Sequence, residues 1–343
     1  MKKEALLKHL QSWTNSVPLI VLGSGASVPF NLPSMRSLGD YIKKNISFSD
    51  AKDIAQFERF KSLFDKNGDL ESTLLQLKLR ENVLNQIVFK TWEIVNKADI
   101  EAYEQLINRT IDFPLANLTE YLLSTTGKKL SIITTNYDRL AEYAGSFANA
   151  VISTGYSQNY IGHFSKNIHS NNLANLKGYK GLVNIWKVHG SLDWFQTFEE
   201  ENIQLPLRHT IPLNHKPSIV TPGLSKFSET HNEPYRTIFT QADTEMELAN
   251  GFLCIGYGFN DKHVQPKLIN QIKNSKPIIV ITKELTPKTK SSIINNNCKH
   301  YILMEEANAT DTRVYSSLFT GEYIIPNVNY WNLTEYLKLI TTK

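Results

Sequence analysis

Five short runs constrain this chain more than any other feature of its sequence: Val17–Leu22, Leu130–Thr134, Val183–Val188, Phe252–Tyr257 and Pro277–Ile281. Each is rich in β-branched residues and apolar on both faces of a two-residue period, so a strand built from it needs cover above and below. Ala150–Ile152 and His300–Leu303 are weaker runs of the same kind. Helical patterns fill the gaps. Ser37–Lys44 follows the first run. Asp53–Phe64, Leu70–Ala98, Asp99–Arg109 and Leu115–Ser124 then place apolar residues three and four apart, as at Leu70, Leu74 and Leu77. Alternating strands and helices of this type predict a doubly wound α/β domain around a parallel sheet. Segment 48–125 reads as a helical insertion after the first strand and helix. Segment 326–343 reads as a C-terminal tail, with a helix over Asn332–Ile340. Residues 155–182, and residues 195–235 with Pro206, Pro212, Pro217, Pro222 and Pro234, read as long loops.

Composition narrows the function classes. At 343 residues, 41% apolar and 20% charged, the chain is neither disordered nor fibrous, and it is long enough for one large domain with an insertion or for two smaller ones. Its two cysteines, Cys254 and Cys298, lie far apart, which excludes a disulfide framework, a CxxC redox motif and a four-cysteine zinc site. The nearest histidine pair, His209 and His215, sits in the proline-rich stretch with no cysteine nearby, so no metal requirement is expected. Lysines and arginines number 37 against 33 acidic residues, a net +4 that does not by itself point to nucleic acid. No run approaches the roughly 18 apolar residues of a membrane helix. The opening Met1–Leu10 mixes charge with leucine instead of forming a signal sequence, so a cytoplasmic location is expected.

Sheets of the expected kind bind ligands at the carboxyl ends of their strands. Four of the five strong runs end in sequence suited to that. The first enters Gly23-Ser24-Gly25-Ala26-Ser27, followed by Pro33-Ser34-Met35-Arg36. Glycines there let a backbone approach a pyrophosphate, and free N–H groups at a helix start favour anions; a plain strand–helix turn has the same sequence. The second runs into Asn136, Tyr137 and Asp138. Asn136 can donate and accept at once, as holding a ribose hydroxyl or a water requires; either Asn136 or Asp138 could instead cap the helix expected over Arg139–Ala144. The third ends in His189-Gly190, where a general base or a structural histidine fits. The fourth, Gly256-Tyr257-Gly258-Phe259-Asn260-Asp261, is a second glycine turn that takes another part of a nucleotide or simply ends its strand. His263, beyond it, is placed inside the next helix and outside the chemistry.

Taken in order, GSGAS, PSMR, TTNYD, HGS and GYGFND resemble the sirtuin family over roughly residues 17–320. The resemblance implies a Rossmann-like doubly wound domain spanning 1–343 that binds NAD. The two CxxC pairs of the zinc module of protein-deacylating sirtuins are missing, Met35 stands where that family has Phe, and Thr135 replaces Gln. The chain therefore looks more like the zinc-free, sirtuin-like NADases of bacterial anti-phage systems, which hydrolyse NAD to nicotinamide and ADP-ribose. On that reading Asn136 and His189 are catalytic. Asn136 would orient the water or a ribose hydroxyl, and His189 would activate it. Gly23, Ser24, Gly25 and Ala26 would offer backbone donors to the pyrophosphate, Ser27 would cap the helix or touch a phosphate, and Arg36 would pair with phosphate or gate the nicotinamide pocket. Asp138 would support Asn136 or accept from the nicotinamide amide, and Gly256 and Gly258 would take the rest of the nucleotide. NAD would be the substrate, with no metal. Relatives of this type act with a partner, such as a HerA-type ATPase or an Argonaute-like module, and no fused sensor is expected here. A homo-oligomer or a complex formed through the 48–125 insertion would hold the activity in check. Competing readings are NAD-dependent deacylation or ADP-ribosyl transfer, and a catalytically silent nucleotide-binding scaffold.

Overall fold

A computed structural model describes residues 2–68, 70–125, 127–168, 176–220, 232–261, 263–296 and 298–341. Parts of the two loops read at 155–182 and 195–235 fall outside these. The strands are β1 (Leu19–Leu22), β2 (Lys129–Thr134), β3 (Val151–Ser153), β4 (Gly162–His163), β5 (Leu182–Lys187), β6 (Gly190–Gln196), β7 (Asn202–Gln204), β8 (Lys216–Ile219), β9 (Phe252–Ile255), β10 (Ile278–Ile281), β11 (Tyr301–Glu306), β12 (Thr312–Ser316) and β13 (Glu322–Ile325). Nine of them form the main sheet, in the order β13-β12-β11-β10-β9-β1-β2-β5-β3. Every pairing from β11 to β3 is parallel, and β12 and β13 add an antiparallel edge.

The double-sided runs do what their composition demands. In β1, Ile20 and Leu22 face one core, Leu19 and Val21 the other; in β9, Leu253 and Ile255 alternate the same way with Phe252 and Cys254. Eleven α-helices, counted among the described residues, cover the two faces. Facing the first core are α1 (Lys2–Asn15), α2 (Met35–Asn45), α3 (Ala51–Asn67), α4 (Leu70–Leu75), α5 (Glu81–Ile107), α6 (Pro114–Leu123) and α7 (Leu140–Phe147). Covering the second are α8 (Tyr235–Leu248), α9 (Val264–Lys273) and α10 (Pro287–Ile293). The last helix, α11 (Leu333–Thr341), returns to the first face, where Tyr336 shares a hydrogen bond with Thr14 of α1. None of these helices is long and apolar enough to cross a membrane.

The expected 195–235 loop is where the structure departs most from the sequence reading. β6, β7 and β8, with the two-residue β4, form a four-stranded antiparallel sheet in the order β4-β7-β6-β8. Within that stretch β7 and β8 are three and four residues long and Pro217 lies in β8, so no run of alternating residues announces them. The helical reading of Leu70–Ala98 is also divided. The chain leaves α4 at Leu75 and restarts at Glu81, and α5 then runs through Ile107 without a break at Asp99.

Candidate active site

Chain order reverses at β1: the sheet grows through β2 and β5 on one side and through β9, β10 and β11 on the other. A cleft opens at the carboxyl ends of these strands, lined by Gly23, Ser24, Ser27, Asn136, Asp138, His189, Gly258 and Asp261 among others, with a cavity volume of about 180 Å³. The four strand ends singled out from sequence therefore converge on one place, as a switch point in a doubly wound sheet requires.

Two polar arrangements furnish it. In the first, Asn136 Nδ2 donates to the Gly23 carbonyl (2.9 Å) and to Ser27 Oγ (3.0 Å). Ser27 Oγ in turn donates to Asp138 Oδ2 at 2.6 Å. The other oxygen of Asp138 accepts the backbone N–H of Leu140 at the start of α7. Asp138 thus both caps a helix and anchors Ser27. Both amide hydrogens of Asn136 are spent, so it offers a ligand only the Oδ1 acceptor. Burial pushes the Asp138 carboxyl above its ordinary range, opposed by the charge of Lys187 and the Ser27 hydrogen bond.

In the second, His189 Nε2 lies 2.9 Å from Asp261 Oδ2, at ion-pair distance once the ring is protonated but outside hydrogen-bond geometry. Asp261 Oδ1 accepts the N–H groups of His263 and Val264, both at 2.9 Å. Its carboxylate is thus fixed by the start of α9, with one oxygen turned to the histidine. His263 is the residue before that helix, not inside it. Gly190, next to His189, has φ +83°, and a Cβ there would lie 2.0 Å from the Ser218 carbonyl oxygen. Only glycine lets β6 turn away from the end of β5 this closely beside β8.

The glycine turn differs from its expectation. The N–H groups of Gly23, Gly25, Ala26 and Ser27 all donate within the protein, to Ile255, Gly256, Gly23 and Ser24 carbonyls respectively. They are not free donors for an anion. Gly256, at φ +58°, packs against this turn so closely that a Cβ would lie 2.2 Å from Ala26 N. The role of Gly25, Ala26 and Gly256 in this structure is to lock two turns together, while Gly23, Ser24 and Gly258 line the cleft. Arg36 does not line it. Its guanidinium sits 5.5 Å from the Phe64 ring centre and 3.5 Å from Asp40.

Support comes from below and from the side. Lys187, fully buried, donates to the carbonyls of Tyr137 and Asp138 and pairs with Glu142 at 2.9 Å. From α5, Asp99 accepts Arg139 N (2.7 Å), Nε (2.9 Å) and Nη2 (2.6 Å), and Asn96 accepts Nη2 at 2.9 Å. Val95 of the same helix lines the cleft. Helix α5, read from sequence only as part of an insertion, is a wall of the site. Among the described residues no group of three or more His, Cys, Asp or Glu side chains converges as a metal site would need.

The SIR2-like domain family matches residues 130–311, more than half of the chain. The chain belongs to that family. The matched span holds Asn136, Asp138, His189 and Asp261, and begins after the first glycine turn. Among solved structures, a Sir2 homologue in complex with NAD is similar at 15% identity, covering 88% of this chain and 87% of that one, with a TM-score of 0.44. A Sir2 homologue variant in complex with ADP-ribose is similar at 15% identity, covering 83% and 87%, also with a TM-score of 0.44. No curated protein matches the chain.

Proposed function

We propose that this SIR2-like chain is an NAD glycohydrolase, releasing nicotinamide and ADP-ribose. The observation that carries the reading is the pair lining the cleft: an Asn136 held so that only its acceptor is offered, and a His189 whose buried Nε2 has no hydrogen-bond partner among the described residues and a carboxylate beside it. The nicotinamide–ribose bond breaks through an oxocarbenium-like state, as glycosidic bonds do. Nicotinamide leaves as a neutral base from a cationic substrate, so no general acid is needed. Water adds to the anomeric carbon and loses one proton. His189 takes that proton, and the Asp261 carboxylate stabilises the imidazolium so formed. Asn136 Oδ1 accepts from the water or a ribose hydroxyl and sets its direction. Ser24 and Asn260, both exposed at the cleft, are the polar side chains placed to meet the diphosphate; Arg36 would have to leave Phe64 to join them.

The missing zinc-module cysteines favour hydrolysis over protein deacylation. Such an activity depletes a cell of NAD, which fits an effector of anti-phage defence held off by assembly with itself or with a separate partner. Purified protein incubated with NAD should release nicotinamide without any acylated peptide. Release that requires the peptide would replace the reading with deacylation, and no release under either condition would reduce the cleft to a nucleotide-binding module.

A further inference from the structure

A second cavity, of about 460 Å³, is lined by α7 and the small sheet and shares no lining residue with the cleft. Its walls carry three buried oxygens without a hydrogen-bond partner among the described residues: Oε2 of Glu142, Oδ1 of Asp193 and the Tyr156 hydroxyl. Asp193 is 7% exposed and Tyr156 2%. Each of these residues is held by something else. Glu142 uses its other oxygen on Lys187 at 2.9 Å, Asp193 accepts from Gln204 Nε2 at 2.6 Å, and the Tyr156 ring packs 4.8 Å from that of Trp194. Buried polar groups are nearly always paired, and leaving them unpaired is costly.

The charges are unbalanced in the same place. The cations at this wall are already committed, Arg139 to Asp99 and Lys187 to Glu142. Among the described residues Asp193 makes no ion pair within 4.0 Å, and the charge of Arg139, bound to Asp99, reaches it only from farther away. A buried carboxylate facing a cavity, with two further acceptors nearby, calls for a cation bearing N–H donors. The rings of Tyr103 and Tyr143, centred 4.9 Å apart and tilted by 39°, add aromatic surface to the wall, which favours a cation.

We propose that this cavity is a second ligand site, separate from the cleft, which takes a small planar organic cation of the amidinium or guanidinium class. The inference does not depend on what the cleft does. The probe is benzamidine, a planar amidinium with donors on one edge; benzamide, of the same shape but neutral, is its control. Calorimetric titration of the full chain should give saturable benzamidine binding with a Kd below about 1 mM, at least about 10-fold tighter than benzamide. Asp193→Asn should weaken it by about 10-fold or more. Ser146→Trp, at an exposed position on the rim, should abolish it, and remains informative if Asp193→Asn does not fold. His189→Ala should leave the affinity unchanged. No saturable binding, equal binding of benzamide, or parental affinity in folded Asp193→Asn or in Ser146→Trp would overturn the proposal.

Discussion

Asn136 and His189 both line the cleft, beyond the ends of the neighbouring strands β2 and β5, and are held by different means, so their removal should act on chemistry more than on folding. Asn136 spends two bonds on local anchoring, and His189 is attached through one ion-pair contact. Asn136→Ala and His189→Ala should each lower nicotinamide release by at least about 10²-fold, with melting temperatures close to the parent. Parental turnover in either variant would remove that residue from the mechanism. Glu142 behaves differently. Burial lifts its carboxyl from about 4.5 to about 7, against the pull of Lys187. A raised carboxyl favours the folded state while it is protonated. Its contribution is therefore complete below about pH 4.5 and is lost as pH rises to about 7, a change on the order of 3 kcal/mol. Glutamine lacks this titration. The melting temperature of the parent relative to Glu142→Gln should therefore fall between pH 5 and pH 7.5; a constant difference across that range would refute the assignment. At this scale the sequence showed which residues collect at strand ends, since polar groups there break an apolar run. It did not show Asp261 as the partner of His189, because an Asp in a turn before a helix reads equally well as a cap, and here it is also that. Nor did it show where Arg36 points, or that the glycine-turn N–H groups are taken by carbonyls, since both depend on contacts distant in sequence.

Among the elements, α5 matters most to the site without belonging to its motifs. Asp99, fully buried, takes three donors from Arg139 and one from the Tyr143 hydroxyl. Trp92 Nε1 donates to the Leu192 carbonyl in β6 at 2.7 Å. The helix thus clamps the segment after Asn136 and the strand after His189 in a single contact surface. Asp99→Ala leaves Arg139 buried without its carboxylate, which should destabilise the protein by about 3–5 kcal/mol in denaturant titration. A change under about 1 kcal/mol would mean that the segment is held by packing alone. The contrast with the main sheet shows what kind of element a sequence discloses. β1, β9 and β10 are covered on both faces, so every position is apolar and the run stands out. β7 and β8, at three and four residues, are stabilised by neighbours brought from elsewhere in the chain and leave no periodic trace. The gap at 76–80 between α4 and α5 was hidden for the opposite reason, since the apolar spacing continues across it through Leu77 and Leu79.

At the level of the whole molecule, an oligomer built through the 48–125 insertion needs apolar helix faces left open to a partner. Instead Phe57, Phe60, Phe64 and Trp92 are all buried within the protein, and the large apolar side chains exposed on α3 and α5 are Ile54 and Ile107, at 42% and 46%. Far greater exposure occurs on the connections of the small sheet: Tyr160 is 87% exposed, Phe198 90% and Leu213 87%. Exposed apolar side chains mark a contact surface when they form one patch, and the prediction is that these three do. The occupant predicted for this side is a second copy of the chain. Light scattering at micromolar concentration should show an oligomer. Phe198→Asp with Leu213→Asp should dissociate it without lowering the melting temperature, because neither side chain contributes to a core. Ile54→Asp with Ile107→Asp should leave it intact. If the reverse holds, the insertion is the interface after all. If the parent is a strict monomer that hydrolyses NAD at full rate, the proposal that self-assembly restrains the activity fails.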